Sequence, residues 1–407
     1  MSKWQYTKKS GTYWIENIET HVVQVWQAIK QWSHRSVKSW LNGHSLQGFV
    51  CLFLVGISLS LAMTAYAASS SNTSTQTHSG KNTSLVAQQK NIELNLVSFS
   101  VTKAAHDKII PKFVEKWKKE HNQNVTFKQS YGASSPQALA VIQGGQEADV
   151  VHLSLAPDIL KIETAGLIQP GWEKEFPNNS IVSKSVAAIV TRKDNPKGIK
   201  TWTDLAKNGV SVMTPNPITS GSGRWNFLAL WNAATKASGD ESKAIEFVTN
   251  VYKNVPILPE SAREATDAFF KGGKGDVLIS YENEVQLKAL NGEKPVYVVP
   301  DLNFSIDNPV AIVDKNVDKH GTREVAKAFI QYLYTPEAQQ IFAQTGYRPI
   351  DPGVAQAKEF VDKYPQIKTL ATTNDYGGWA VIQKKFFSDN AIFAKIIRSV
   401  NTQTKAR

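Results

Sequence analysis

The chain has 407 residues but only one cysteine, three methionines and eight histidines. One cysteine excludes an intramolecular disulfide and any cysteine-cluster metal site. No pair of histidines has H-E-x-x-H spacing, so nothing supports a zinc hydrolase. The G-x-S-x-G elbow and the G-x-x-x-x-G-K-[ST] phosphate loop are both missing. Gly272-Gly273-Lys274-Gly275 looks phosphate-like but falls between a helix pattern and a strand pattern, the wrong context. No basic cluster with interleaved aromatics occurs, so the net charge of +11 gives no nucleic-acid site. Lys116, Lys118 and Lys119 read as a solvated helix face.

Charge is also missing from residues 49–63, where Phe49, Leu52, Phe53, Leu54, Val55 and Ile57 begin an apolar run. That length is short for a membrane span and suits a signal-peptide core. Ala65-Tyr66-Ala67-Ala68 follows, so cleavage is expected between Ala67 and Ala68, with an uncleaved anchor as the alternative. Cys51 lies inside the core without small residues before it, which argues against a lipoprotein. Residues 1–48 form a basic extension, with Trp14, Ile18, Val22, Val25, Trp26 and Ile29 at helical spacing. Such a stripe suits a membrane surface; a true start at Val37 or Leu46 would remove it. Six of the 46 basic and two of the 35 acidic residues precede the core, so four of the eleven excess charges leave with it. The secreted remainder has no cysteine and suits a periplasmic location.

What is present reads as globular. Hydrophobic residues are 42% and charged residues 20%, ordinary values for a packed protein, and the length suggests two or three domains. Residues 68–90 are a Ser/Thr-rich tether, with ten Ser or Thr within 69–84 and little to bury. Strand patterns at 92–99, 125–129 and 149–153 alternate with helix patterns containing Phe113 and Trp117, then 137–143 and 157–165. Pro111 is expected to kink the first helix or delay its start. A second series begins near Ser185, with strands at 210–213, 276–280, 295–299 and 308–313 and helices at 225–236 and 242–252. Helices dominate after 324. The alternation predicts an α/β fold with mostly parallel sheets. Two series imply two lobes with a ligand cleft between them: residues 91–185 plus 309–407 as lobe 1, and 186–308 as lobe 2.

Four places share one grammar, a small Ser/Gly/Ala turn opening a helix. They are Ser98-Phe99-Ser100, Gly132-Ala133-Ser134-Ser135, Ser220-Gly221-Ser222-Gly223-Arg224 and Ser261-Ala262-Arg263. The first N–H groups of a helix have no intrahelical partner and favour an anion. Any one turn alone is an ordinary helix cap. Four of them, two per lobe, can converge on one oxyanion. The turns contain no Asp or Glu, although Glu264 follows one. A site of donors suits a fully ionised tetrahedral dianion, whereas a protonated phosphate needs an acceptor. This favours sulfate unless a distant residue supplies that acceptor.

The run Thr214-Pro215-Asn216-Pro217-Ile218-Thr219-Ser220-Gly221-Ser222-Gly223-Arg224-Trp225-Asn226 resembles the periplasmic sulfate-binding proteins of ABC transporters. The likeness extends from about 92 to 387 through Gln129-Ser130-Tyr131-Gly132, Glu147-Ala148-Asp149-Val150-Val151, Tyr252-Lys253-Asn254-Val255 and Gly275-Asp276-Val277-Leu278-Ile279. Tyr281-Glu282-Asn283-Glu284, Tyr347-Arg348-Pro349 and Tyr376-Gly377-Gly378-Trp379 continue it. The resemblance implies a two-lobed, type 2 periplasmic binding protein. It would be a monomer that needs no cofactor or metal and passes sulfate or thiosulfate to a membrane permease.

The resemblance also implies donors from the main chain of Ser100, Ser134, Gly221, Ser222 and Ala262. Hydroxyls of Ser134 and Ser220 would add to them. Ser100 stands where the family often has Asp, and Ser222 where Gly is usual. Tyr281 stands where sulfate-binding members have a Trp that donates to the anion, and its hydroxyl is expected to donate instead. Arg224 and Arg263 are expected to act one step behind the anion, bonding carbonyls or bracing the lobes; a direct salt bridge is the alternative. Rival readings are a binder of another tetrahedral oxyanion such as phosphate or molybdate, a sulfate-reporting sensory module, and an ester hydrolase. The hydrolase would need Ser134 or Ser220 beside His152.

Overall fold

Leu94, Leu96, Val97 and Phe99 give β1 (Ile92–Phe99) a run of buried side chains on both faces, the mark of a strand covered by helices. The computed structural model describes residues 91–364 and 366–405. The basic extension, the signal core, the Ala67–Ala68 cleavage and the tether lie outside them.

β1 lies between β2 (Val125–Gly132) and β3 (Val150–His152), parallel to both. β4 (Ile181–Ser185) and β10 (Ile306–Ile312) complete a five-stranded sheet of order β2-β1-β3-β10-β4. A four-stranded sheet has the order β6-β7-β5-β8. Its members are β5 (Ala187–Thr191), β6 (Val212–Met213), β7 (Val277–Tyr281) and β8 (Val296–Val298). β9 (Leu302–Phe304) pairs with β11 (Thr369–Ala371). Both larger sheets are mixed, not mostly parallel. The chain leaves the first sheet through Val186 and returns to it through Ser305. The returning strand, β10, therefore runs antiparallel to β3 and to β4.

The helices that position the site are α1 (Lys103–His121), α2 (Ser134–Ile142), α3 (Ala156–Thr164), α4 (Gly221–Ser238), α5 (Glu241–Lys253), α6 (Ala262–Phe270) and α7 (Glu282–Leu290). α1 starts at Lys103 and runs through Pro111, so the proline does not delay its start. α4 is buried at every residue from Gly221 to Ala234, as expected of a helix enclosed by its neighbours. The lobe boundaries expected at 309–407 separate in one respect. Ala371, Ile382, Phe386, Phe387, Ile392 and Phe393 share a core with Trp225, Phe227 and Trp231 of α4. The tail thus packs on elements of the second sheet, while Phe329, Ile330 and Phe342 pack with Leu94 and Phe113 on the first. Among the described residues no helix is long and apolar enough to cross a membrane.

Candidate functional site

The small residues of the four turns let helix starts approach one another closely, and they do so at a single point. A cavity of ≈ 10 Å³, counted as room for the centre of a water-sized sphere, is lined by Phe99, Ser100, Gly132, Ala133, Ser134, Ser154, Ser220, Gly221, Ser222, Ser261 and Ala262. That is about the room one water molecule needs, far below the usual drug-sized cleft. Ser100 opens a short 3-10 turn leading into α1, and Ser134 opens α2. Ser220 caps α4 and Ser261 caps α6, each hydroxyl accepting from the N–H three residues on, at Gly223 and Glu264. Four helix starts with their positive dipole ends thus border one cavity. No lining side chain carries a charge.

The structure brings together Ser100, Ser134, Ser220, Gly221, Ser222 and Ala262 from the sequence expectation. Gly221 is required by packing: a Cβ there would collide with Ser154 Oγ and lie 2.9 Å from Leu155 Cγ. Ser222 sits in the first turn of α4 without a left-handed backbone, so it does not need a glycine's freedom. Its hydroxyl is buried without a hydrogen-bond partner of ordinary geometry.

Three expected residues do not line the cavity: Tyr281, expected as a donor to the anion, and Arg224 and Arg263, expected one step behind it. Tyr281 is fully buried and is not among the lining residues. Its hydroxyl meets Ser154 Oγ at 2.8 Å, and burial pushes its pKa well above the usual phenol value. Arg224 donates to Pro217 O at 2.8 Å and to Gln383 Oε1 at 3.0 Å. It braces the loop before α4 against the tail. Arg263 donates twice to Glu284, at 3.0 and 2.8 Å. Burial raises the pKa of Glu284 and the Arg263 guanidinium opposes the rise.

The hydroxyl of Ser134 is not free for an anion. It donates to Asp158 Oδ2 at 2.8 Å, and Ser135 Oγ donates to Asp158 Oδ1 at 2.9 Å. Asp158 is fully buried in the first turn of α3, with Lys161 Nζ 2.9 Å away. Sequence reading of the four turns missed this carboxylate because it sits on a fifth helix. It missed Ser154 for a similar reason: that residue follows β3 and precedes α3. The same small-residue grammar, Ser154-Leu155-Ala156, was the available signal. Across the cavity Ser135 N–H donates to Thr219 O at 3.3 Å.

His152 is not placed to serve as the base that the hydrolase reading needs. His152 is 3.1 Å from His106 and 3.4 Å from Ser183 Oγ, with neither Ser134 nor Ser220 among its partners. Burial lowers the pKa of both imidazoles, that of His106 to about 3. Among the described residues no group of three or more His, Cys, Asp or Glu could hold a metal ion.

Residues 94–348 match the family model described as bacterial extracellular solute-binding protein. A sulfate-binding protein from Synechocystis sp. is 52% identical over 318 residues, covering 78% of this chain and 90% of the relative. A thiosulfate-binding protein from Pseudomonas aeruginosa is 38% identical over 305 residues, covering 74% of this chain and 90% of that protein. The solved structure of the sulfate-binding protein SubI from Mycobacterium tuberculosis H37Rv superposes with a TM-score of 0.67 at 36% identity. It covers 73% of this chain and all of its own. With the four helix starts on one cavity and matches of this extent, the chain belongs to the bacterial extracellular solute-binding proteins.

Proposed function

We propose that this chain captures sulfate outside the cytoplasm and hands it to the membrane permease of an ABC transporter. The observation that carries the reading is the meeting of four helix starts on a cavity with no ionisable lining side chain. Stripping water from a dianion is costly unless hydrogen bonds replace it. Main-chain N–H groups at Ser100, Ser134, Gly221, Ser222 and Ala262, with the Ser220 hydroxyl, would replace it. Hydrogen bonds to a charged group are each worth about 1.5–3 kcal/mol. Sulfate carries no proton at neutral pH and asks for nothing but donors. Its capture is binding, not catalysis, in keeping with a family of transport proteins.

The two sheets would form lobes that close over the ion, residues 91–185 with part of 309–407 against 186–308. The main-chain bond from Ser135 to Thr219 would help hold them shut. The protein would act as a monomer in the periplasm, exported by the apolar core at 49–63 and cut between Ala67 and Ala68. Thiosulfate is a second reading, favoured by the Pseudomonas aeruginosa relative.

A melting panel tests the reading, because a ligand that binds the folded state raises its midpoint. Sulfate should raise it at the lowest concentration and thiosulfate at a similar or higher one. Phosphate and molybdate should leave it unchanged. A rise with phosphate and none with sulfate or thiosulfate would overturn the assignment.

A further inference from the structure

We propose that Ser154 donates its hydroxyl proton directly to the bound anion, and that Tyr281 acts through Ser154 as a positioning residue. The inference rests on the sulfate reading and adds a donor that the four helix starts do not provide.

Ser154 lines the cavity and is 1% exposed. All its other polar groups are committed. Its N–H donates to Ser134 Oγ at 3.1 Å. Its carbonyl accepts from Trp225 Nε1 at 2.9 Å and from Asn308 Nδ2 at 3.2 Å. These bonds fix the backbone of Ser154 from α2, α4 and β10 and leave its hydroxyl one variable, the direction of the proton. A Cβ added to Gly221 would collide with Ser154 Oγ, so that hydroxyl sits against the first residue of α4.

The Ser154 and Tyr281 hydroxyls hold two protons and share one hydrogen bond. If Ser154 donates to Tyr281, its lone pairs face the cavity and repel an anion. If Tyr281 donates, the Ser154 proton points inward, where only an anion or another hydroxyl can accept it. A dianion selects the second arrangement. Burial keeps the phenol protonated, so it always has that proton to give. Ser222 also lies against the phenol and is buried within the lining. Tyr281 itself does not line the cavity, so its influence on the anion passes through its neighbours.

Titration calorimetry with sulfate on the unsubstituted protein, Ser154→Ala, Tyr281→Phe and the double variant tests this. Ser154→Ala should weaken sulfate binding by about 10- to 100-fold, the value of one charge-assisted hydrogen bond. Tyr281→Phe should weaken it less, and the double variant no more than Ser154→Ala alone, because coupled groups are not additive. Ser154→Cys, which keeps a donor beside the phenol, should bind tighter than Ser154→Ala. A Kd for Ser154→Ala within twofold of the unsubstituted protein overturns the proposal. So does a double variant whose loss is the sum of the single losses, since that would give Tyr281 a route to the anion that bypasses Ser154. Unliganded melting midpoints of the same variants separate a loss of fold from a loss of ligand: lower midpoints with unchanged Kd also count against it. No sulfate binding by the unsubstituted protein would remove the parent reading, and this one with it.

Discussion

The two sides of the cavity are buttressed by different side chains. Behind the turns that leave the first sheet lies a carboxylate, Asp158, which takes the hydroxyl protons of Ser134 and Ser135. Behind the turns of the second lie two guanidiniums, Arg224 on Pro217 O and Arg263 on Glu284. None of these three charges lines the cavity. On the first side the serine hydroxyl is spent on holding the turn, and the main chain is left to meet a ligand. On the second side Ser220 only accepts, from Gly223 N–H, so its proton remains available. Equivalent serines in sequence therefore have different work.

That asymmetry can be broken experimentally, beginning with the largest effect. Arg263→Met should cost about 3 kcal/mol of stability, because it leaves Glu284 buried and unpaired; this is the low end of the range, since the guanidinium is partly solvated. Sulfate affinity should stay within a few-fold of the unsubstituted protein. A large loss of affinity with little loss of stability in urea unfolding would instead place Arg263 on the anion. Gly221→Ala should weaken sulfate binding by about 5- to 150-fold, corresponding to overpacking of about 1–3 kcal/mol. Calorimetry on a variant of unchanged affinity would show that the contact between Gly221 and Ser154 is soft.

The two serines sharpen the comparison directly. Ser220→Ala should weaken sulfate binding by about 10- to 100-fold. Ser134→Ala should change affinity by only about threefold but cost about 1–3 kcal/mol of stability, by leaving Asp158 short of a donor and the Ser154 N–H short of an acceptor. Equal affinity losses in side-by-side titrations would erase the distinction between the two sides.

Acidity should separate site from scaffold. The lining has nothing to titrate, so sulfate affinity should be flat from about pH 6 to 8, within the range where sulfate carries no proton. The fold should respond below that range. His106 and His152 are held neutral, with pKa values below those of the unfolded chain. The unfolded state therefore binds more protons as pH falls below 6.5. Their contribution to stability is full above that value and is lost progressively below it, toward about 3 for His106. The slope is about 1.4 kcal/mol per pH unit for each histidine. Urea midpoints between pH 4 and 7 would show it, and His106→Gln should flatten the profile. A midpoint indifferent to pH would mean that the pair is not held neutral.

Much of this was legible in the residues. The turns at Ser100, Ser134, Ser220 and Ala262 announce themselves, because a small residue opening a helix is a local pattern. The identity of the elements was also local, as in β1 and α5. Direction was not: β10 runs antiparallel because of where the chain re-enters the first sheet, which no period in its own sequence records. The packing of Phe386 and Phe393 beside Phe227 was hidden for the same reason, since an aromatic tail does not say which core it joins. Ser154 and Tyr281 stand 127 residues apart, and only the folded chain makes them one unit. Asp158 was hidden because its effect on Ser134 depends on the approach of α3 to α2.

The meeting of helix starts has a consequence for how such a protein can diverge. An N–H at Ser100 or Ala262 is supplied by whatever amino acid stands there, so mutation has little purchase on it. Proline is the exception, because it alone removes the hydrogen. If the proposed donors are right, descendants of this chain could change the side chains at Ser100 and Ala262 and still inherit the trait, provided the geometry of the helix starts is inherited too.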